Sequence, residues 1–499
     1  MALLFGLSCG ALGRLLLRDA DIGWHIRNGQ QMWLTHSITR TDSFSSTMSG
    51  QTWYAWEWLY DLGVAAIHHV FGLNGVVFYS AAIIAATFVL TLHLALRGGS
   101  SLPVALMLLI VALGASAIHF LARPHLVSWL FTVIWFVVLD STVEGKSPQT
   151  RAVFALPLLM LLWVNLHGGF VMGFMLLGIF LLAGAVRYAR DGEDRHEIEP
   201  WLRRLGAVMV LSALASLVNP YGYHLHAHVY RYLSDRFLMS QISEFQSPDF
   251  HGAAQQCFAV LLLITVSTVS CARRKPSLER VLVILLAAGG GLYATRNLPT
   301  SSLLIVLCVA PVLTDVITTA AESDGISWWR GLCSRVRSFG GRMEAMESRM
   351  AGHVWLIAAF LAGLWACANH GRLGSTQFIN AYFDEKRFPV EAAEVIATRD
   401  IREPIFSLDY WGGYLIYRLY PETKVVLDDR HDLYGSQFFK DFLKVILVQP
   451  DWEKTLDGWQ VDWVLVPTEG SLANMMRLSG NWQLSHEDRT AALFHRIRK

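Results

Sequence analysis

Carboxylates and imidazoles gather in residues 18–72, directly after the first apolar stretch of the chain. Asp19 and Asp21 follow that stretch at once, and His25, Asp42 and Glu57 come later in the same segment. A carboxylate at the edge of a low-dielectric region can have a raised pKa, so it can accept a proton or bind a cation. The position of Asp19 and Asp21 therefore suits proton abstraction. The alternative is that both acids only solvate a helix end and that nearby tryptophans form an interfacial belt.

A second set of polar side chains lies at the ends of later apolar stretches. Arg123 can hold a phosphate through two parallel hydrogen bonds, or it can simply extend toward the lipid–water interface. His167 stands next to two glycines, where it can line a cavity or cap a helix end. The predicted substrate contacts are Arg123, His125, His167, Glu244 and Arg296, together with His25, Asp42 and Glu57 of residues 18–72. An unpaired charge at membrane level, such as Glu244 or Arg296, is functional by default.

The composition requires a lipid environment for most of the chain. Of 499 residues, 53% are hydrophobic and only 16% are charged, whereas soluble domains contain about 25% charged residues. A soluble enzyme is therefore excluded. The net charge of +1 argues against nucleic-acid binding, and no G-x-x-x-x-G-K-[ST] motif for ATP phosphates occurs. The 6 cysteines include no C-x-x-C pair, which argues against a disulfide framework or a zinc site.

Apolar stretches of near membrane-spanning length predict an α-helical polytopic membrane protein. A bilayer core needs about 20 mostly apolar residues per helix. By that measure the sequence predicts eleven spans, at residues 1–17, 74–96, 102–118, 126–140, 152–166, 169–186, 205–218, 255–271, 281–295, 299–317 and 353–369. They define a transmembrane domain over residues 1–369, and residues 18–72, named loop 18–72 from here on, are its first outer loop.

The charges of the loops predict the orientation of the chain, because cytoplasmic loops retain Lys and Arg during insertion. One alternating set of loops contains 17 Lys and Arg, from Arg97 to Arg349, and the other contains 7, from Arg18 to Arg296. The poorer set, which includes loop 18–72, is therefore predicted outside. This places the N-terminus in the cytoplasm and residues 370–499 outside it.

Residues 370–499 predict a small extracytoplasmic α/β domain. Apolar runs at 404–408, 424–427 and 461–466 predict strands, and residues 388–399 and 436–448 predict helices. Asp428, Asp429, Arg430 and Asp432 follow one of these strands, a place where α/β proteins often carry sites. A loop with internal salt bridges explains the same residues, and we assign them no catalytic role.

Several motifs along the chain resemble those of a known superfamily. They are D-A-D-I-G-W-H at 19–25, R-T-D-S-F-S at 40–45, E-W-L at 57–59, R-P-H at 123–125, W-V-N-L-H-G-G at 163–169, N-P-Y-G at 219–222, W-G-G-Y-L-I-Y at 411–417 and V-V-L-D-D-R-H-D-L-Y-G at 425–435. Their order, with an acid pair after the first span, resembles the C-type (GT-C) glycosyltransferases. More narrowly, it is similar to a group of polytopic bacterial membrane proteins placed near that superfamily.

The resemblance implies an inverting sugar transfer at the plasma membrane of a bacterium. A polyprenyl-phosphate-linked sugar is the implied donor, Asp21 or Asp19 the implied base, and a glycan, lipid or protein outside the cytoplasm the acceptor. Members of the superfamily hold the departing phosphate with a metal or with basic side chains. A divalent cation is therefore left open as a cofactor, and no residue is assigned as a metal ligand. A transporter, a non-catalytic envelope assembly component and a polysaccharide polymerase or ligase remain alternatives.

Overall fold

The computed structural model describes residues 2–143, 148–190, 195–322, 327–350 and 352–497. Met1, where the first predicted span begins, and Lys146, one of the counted loop charges, lie outside these ranges. Within the described ranges the regular elements up to Ala368 are all helices, and helices combine with strands after that residue.

Residues up to Ala368 form helices joined mostly by short turns. The α-helices are Ala2–Ser8, Gly10–Leu15, Asp21–Thr35, Trp58–Arg97, Leu102–Ser116, His125–Asp140, Leu156–Leu166, Val171–Arg190, Arg195–Ser216, Tyr223–Ser234, Arg236–Gln241, Ala253–Cys271, Leu278–Tyr293, Leu298–Glu322, Ser327–Met350 and Gly352–Ala368. Short 3₁₀ turns cover Ala117–His119, Pro148–Ala155, Gly168–Phe170, Ser243–Phe245 and Thr295–Asn297.

Five of the described helical segments are long and apolar enough to cross a membrane. They are Trp58–Arg97, Leu102–His119, Gly168–Arg190, Ala253–Cys271 and Thr295–Glu322, and shorter apolar helices cover His125–Asp140, Arg151–Leu166 and Val354–Ala368. The chain is therefore a membrane protein with several spans. Among the described residues, each of the eleven predicted segments lies mainly on helical residues. Because several of them are short or carry charges, the number eleven itself stays a prediction.

Two breaks in these helices follow from local backbone geometry. The first predicted span, 1–17, is interrupted at Cys9, whose backbone is extended with φ −107° and ψ 148°. The long helix Trp58–Arg97 is interrupted at Gly72, where φ is +61° and ψ is −158°. A positive φ favours glycine because the Cβ of any other residue would clash with the backbone at that angle. Gly72 thereby separates residues 58–71, which belong to loop 18–72, from the segment that contains the predicted span 74–96.

The C-terminal region contains two small sheets and five helices among its described residues. The strands are β1 (Arg372–Leu373), β2 (Thr376–Gln377), β3 (Ile405–Ser407), β4 (Trp463–Pro467), β5 (Trp482–Glu487) and β6 (Ala491–Arg496), and the helices are Val390–Thr398, Asp409–Leu419, His431–Ile446, Trp452–Gly458 and Ser471–Leu478. The larger sheet has the order β3-β4-β6-β5, and only β3 and β4 pair in parallel. The strands predicted at 404–408 and 461–466 are thus confirmed as β3 and β4.

Loop 18–72 is joined to the C-terminal region by backbone hydrogen bonds. Val425 forms isolated parallel bridges with Ile405 on one side and Ser45 on the other. Its carbonyl accepts the Ser46 N–H at 2.9 Å, and its own N–H donates to Phe44 at 3.3 Å. The predicted strand 424–427 is therefore an extended connection between β3 and loop 18–72 rather than a full strand.

A close crossing of two helices fixes loop 18–72 against the C-terminal region a second time. Gly23 of the helix Asp21–Thr35 faces Gly413 of the helix Asp409–Leu419. A Cβ added to Gly23 would lie 2.3 Å from the carbonyl oxygen of Gly413, and one added to Gly413 would lie 2.4 Å from that of Ala20. Both distances are far shorter than any van der Waals contact. The two glycines therefore allow the backbones to meet directly beside Asp21.

Candidate functional site

A cavity of about 570 Å³ lies where loop 18–72, several helix ends and the C-terminal region meet. Its lining contains many of the side chains that the sequence singles out. The predicted residues that line it are Asp21, His25, Glu57, Arg123, His125, His167, Glu244 and Arg296. Asp19 contacts this set through Arg123 without lining the cavity, and Asp42 lies elsewhere.

Arg123 binds both acids that follow the first apolar stretch. Its Nη1 donates to Asp19 Oδ2 at 2.9 Å, and its Nη2 contacts Asp21 Oδ2. Asp19 Oδ1 also accepts the backbone N–H of Asp21 at 3.0 Å, which fixes the start of the helix Asp21–Thr35. Asp21 is almost fully buried, and its Oδ1 has no hydrogen-bond partner. One carboxylate oxygen of Asp21 is therefore held by a cation, and the other is free.

A third carboxylate comes from the C-terminal region. One oxygen each of Asp19, Asp21 and Asp429 lies within 4.8 Å of the other two. Burial and the neighbouring Asp19 raise the pKa of Asp429, whose Oδ1 is buried without a hydrogen-bond partner. Carboxylate oxygens are the ligands that hard divalent cations prefer. These three side chains therefore have the chemistry to hold such a cation.

Glu57 lies between two imidazoles in the same cavity. Its carboxylate oxygens are 3.8 Å from His25 Nε2 and 3.6 Å from His167 Nε2. The opposite nitrogens of both rings are anchored, since His25 Nδ1 is 2.6 Å from Asp61 and His167 Nδ1 is 2.7 Å from Ser128 Oγ. Burial raises the pKa of Glu57 to about 7 and lowers that of His25 to about 3. Glu57 can therefore gain or lose a proton near neutral pH.

Another charged pair lies in the wall formed by the 3₁₀ turns Ser243–Phe245 and Thr295–Asn297. Arg296 Nη1 is 3.5 Å from Glu244 Oε1, and its guanidinium stacks over Phe245 at 4.4 Å from the ring centre. Burial disfavours the charge of Glu244, but Arg296 and Arg123 lower its pKa to about 2. Glu244 is thus ionised, and the 3.5 Å separation leaves the Arg296 guanidinium able to bind another anion.

One side of the cavity is apolar and also exposed on the molecular surface. This set comprises Val171, Met175, Leu233 and Tyr293. It belongs to the helices Val171–Arg190, Tyr223–Ser234 and Leu278–Tyr293. An apolar chain can therefore reach the charged groups from this side without crossing a polar surface.

Asp42 serves the packing of loop 18–72 against the C-terminal region and is not part of the cavity lining. The residue is 2% exposed, and its carboxylate accepts from Ser45 and binds Arg430 Nη2 at 2.8 Å. Arg430 also binds Asp428 and stacks over Trp53 at 4.4 Å. Burial alone would disfavour the charge, but Arg430 keeps the pKa of Asp42 below its usual range. The Asp42 carboxylate is therefore already occupied by a protein cation.

The predicted salt-bridged loop at 428–432 supplies both structural and cavity residues. Asp428 and Arg430 form the buried ion pair, as the structural interpretation expects. Asp429 and Asp432 line the cavity, and Asp432 Oδ2 lies 3.0 Å from His228 Nε2. Their position after an apolar run is the sequence signal that could have placed them in the site. Nothing local in the sequence shows that they meet loop 18–72.

Comparisons with known proteins identify the fold. No protein-family model and no curated protein sequence matches the chain. Solved structures do match it. The oligosaccharyltransferase of Archaeoglobus fulgidus, tethered through a disulfide bond to an acceptor peptide with the NVT sequon, has a TM-score of 0.57 at 10% identity, over 94% of this chain and 68% of its own.

ArnT of Cupriavidus metallidurans is similar over nearly the whole length of both chains. The apo structure has a TM-score of 0.51 and the structure bound to undecaprenyl phosphate a TM-score of 0.50, each at 12% identity, over 99% of this chain and 96% of ArnT. These proteins are C-type glycosyltransferases, so the present chain has the GT-C fold, as its motifs led us to expect.

Proposed function

We propose that this chain is a membrane glycosyltransferase that moves a sugar, with inversion, from a polyprenyl-phosphate donor to an acceptor outside the cytoplasm. The observation that carries the proposal is the cavity in which Arg123 holds Asp19 and Asp21 beside a second cation, Arg296. Two GT-C neighbours support it, since one has been seen with undecaprenyl phosphate and another with an acceptor peptide.

Asp21 is the proposed base of the transfer. The acceptor loses its proton to the free Oδ1 of Asp21 while its oxygen or nitrogen forms a bond with the anomeric carbon. The bond from that carbon to the phosphate oxygen breaks, and its electron pair leaves with the polyprenyl phosphate. Attack opposite the departing phosphate inverts the anomeric centre. The contact with Arg123 fixes the Asp21 carboxylate and keeps its free oxygen in place.

Arg123 and Arg296 are the proposed ligands of the departing phosphate. A guanidinium can donate two parallel hydrogen bonds to phosphate oxygens, and its fixed charge stabilises the negative charge that develops on them. Arg296 would exchange its loose contact with Glu244 for the phosphate, and His125 lines the same wall. The exposed apolar side of the cavity, with Val171 and Leu233, would accommodate the first units of the polyprenyl chain.

Asp19, Asp21 and Asp429 would hold a divalent cation if the reaction uses one. When bound, such an ion supplies Lewis-acid stabilisation of the phosphate charge. Burial and the neighbouring Asp19 raise the pKa of Asp429 to about 7, so a cation would compete with a proton for this carboxylate below that pH. Without such an ion, Arg123 and Arg296 would stabilise the negative charge on the phosphate.

The remaining cavity residues are proposed acceptor contacts. Glu57, His25 and His167 form a buried group that can donate or accept hydrogen bonds, depending on the protonation of Glu57. We further propose that residues 1–369 are the transmembrane domain with a cytoplasmic N-terminus. Loop 18–72 and residues 370–499 then lie outside the cytoplasm, where a bacterial plasma-membrane enzyme would meet its acceptor.

Binding of undecaprenyl phosphate tests this proposal with the leaving group itself. Undecaprenyl phosphate should bind the purified chain in lipid nanodiscs, and Arg296→Gln should weaken binding about 10- to 100-fold, because a charged hydrogen bond contributes about 1.5–3 kcal/mol. Arg231→Gln is the matched control, since Arg231 is exposed and does not line the cavity. Equal affinities for wild type and Arg296→Gln would remove Arg296 from the phosphate site, and no binding at all would overturn the donor class.

A further inference from the structure

Three metal-ligating side chains meet on the C-terminal region, outside the cavity. Glu391 lies in the first turn of the helix Val390–Thr398, His486 lies on β5, and Asp488 follows β5 directly. One ligand atom of each lies within 4.8 Å of the other two. None of the three lines the cavity described above.

The backbone around β5 fixes two of these side chains. The pairing of β5 with β6 shifts register between Leu484 and His486, and such a bulge redirects the side chain beside it. Asp488 Oδ1 accepts the backbone N–H groups of Thr490 at 2.6 Å and Ala491 at 2.8 Å. The carboxylate of Asp488 is therefore held by the turn, and its second oxygen is directed toward His486.

Two atoms that face each other in this cluster are buried and form no hydrogen bond. His486 Nε2 and Asp488 Oδ2 lie 3.4 Å apart, and neither has a hydrogen-bond partner. The Asp488 side chain is only 9% exposed. A buried polar atom without a partner is costly, so these two atoms favour a ligand that both can bind. Glu391 is exposed and leaves one side of that ligand open to water.

We propose that Glu391, His486 and Asp488 bind a divalent cation of the Zn²⁺ class. Zn²⁺ accepts an imidazole nitrogen together with carboxylate oxygens and is usually four-coordinate, so three protein ligands and one water complete its shell. Mg²⁺ instead prefers an octahedron of oxygen ligands. The site is built without cysteine, and it links the helix Val390–Thr398 to the β5–β6 hairpin.

Titration of the purified full-length chain with Zn²⁺ in excess Mg²⁺ tests the proposal. The excess Mg²⁺ fills sites made only of carboxylates. The heat of Zn²⁺ binding then reports the site that contains His486. We expect about one equivalent of Zn²⁺, and at least about tenfold weaker binding in His486→Ala and in Glu391→Gln, which each remove one ligand. Co²⁺ in place of Zn²⁺ should give the visible absorption of a four-coordinate ion, and His486→Ala should abolish it.

Glu487→Gln is the matched control, because Glu487 is the neighbouring carboxylate on β5 but pairs with Arg477 instead. Its Zn²⁺ affinity should equal that of wild type. Glu391 is exposed, so Glu391→Gln keeps the test valid even if His486→Ala disturbs the hairpin. Wild-type affinity in both ligand variants, or no Zn²⁺ binding by the wild type in excess Mg²⁺, would overturn the site and leave His486 and Asp488 as a simple ion pair.

Discussion

Replacing Arg430 by methionine should weaken the attachment of the C-terminal region to loop 18–72. In the folded chain its guanidinium binds Asp428 at 2.6 Å and 2.7 Å and Asp42 at 2.8 Å, and it stacks over Trp53. Methionine fills a similar volume but leaves both carboxylates buried and uncompensated. Breaking a buried ion pair from one side costs about 3–5 kcal/mol. Since about 1.4 kcal/mol corresponds to a factor of ten, the local opening equilibrium should rise about 10²- to 10⁴-fold.

Hydrogen exchange followed by mass spectrometry measures that opening directly. The amides of Val425 and Ser46 report it, because Val425 donates to Phe44 and Ser46 donates to Val425 across the junction. Arg402→Met is the control, since Arg402 pairs with Asp400 on the surface and should leave the exchange of this segment unchanged. Protection of the Ser46 and Val425 amides within threefold of wild type in Arg430→Met would refute the idea that this ion pair holds the two parts together.

Two further predictions concern protonation and orientation. Glu57 has its pKa raised to about 7 by burial, from 4.5, so the folded chain binds a proton that the unfolded chain releases between those pH values. Wild type should therefore lose up to about 3 kcal/mol of stability relative to Glu57→Gln as pH rises from 4.5 to 7 and beyond. Thermal unfolding of both proteins at pH 5 and pH 8 measures this loss, and the same change in stability with pH in both proteins would contradict it. For orientation, a reporter fused after Lys499 should be active only outside the cytoplasm and one near Arg335 only inside, as the loop charges predict; the reverse pattern would overturn the proposed topology.

The sequence predicts the cavity better than it predicts individual contacts. Residues such as Asp21, Arg123, His167 and Arg296 follow or precede apolar helices at alternating ends. If helices alternate in direction, such ends meet on one side of the molecule, and the structure brings these residues together. Asp42 shows the limit of this reasoning, because a local pattern cannot show that a cation 388 positions away neutralises it.

In the C-terminal region, sequence patterns mispredict or miss strands that are short or polar. The run at 424–427 is apolar enough for a strand, but its neighbours provide only single bridges, at Ile405 and Ser45. The strand β5 alternates weakly and is mostly exposed or half-buried, so its pattern does not stand out. Asp429 follows an apolar run, yet its meeting with Asp19 depends on long-range packing. Local periodicity carries no information about such contacts.

The central claim is sugar transfer with Asp21 as base, and the most direct test is the release of polyprenyl phosphate from polyprenyl-phosphate-linked sugars by the chain in nanodiscs. Asp21→Asn keeps the size of the side chain and leaves Asp19 to hold Arg123, but it removes the proton acceptor. Release should fall about 10²- to 10⁴-fold, with expression and thermal stability nearly unchanged. Loss of release in Asp19→Asn alone would move the base by two residues. Wild-type rates of release in both variants would exclude both acids as the base, and no release by the wild-type chain would contradict the enzymatic account and favour a non-catalytic membrane component.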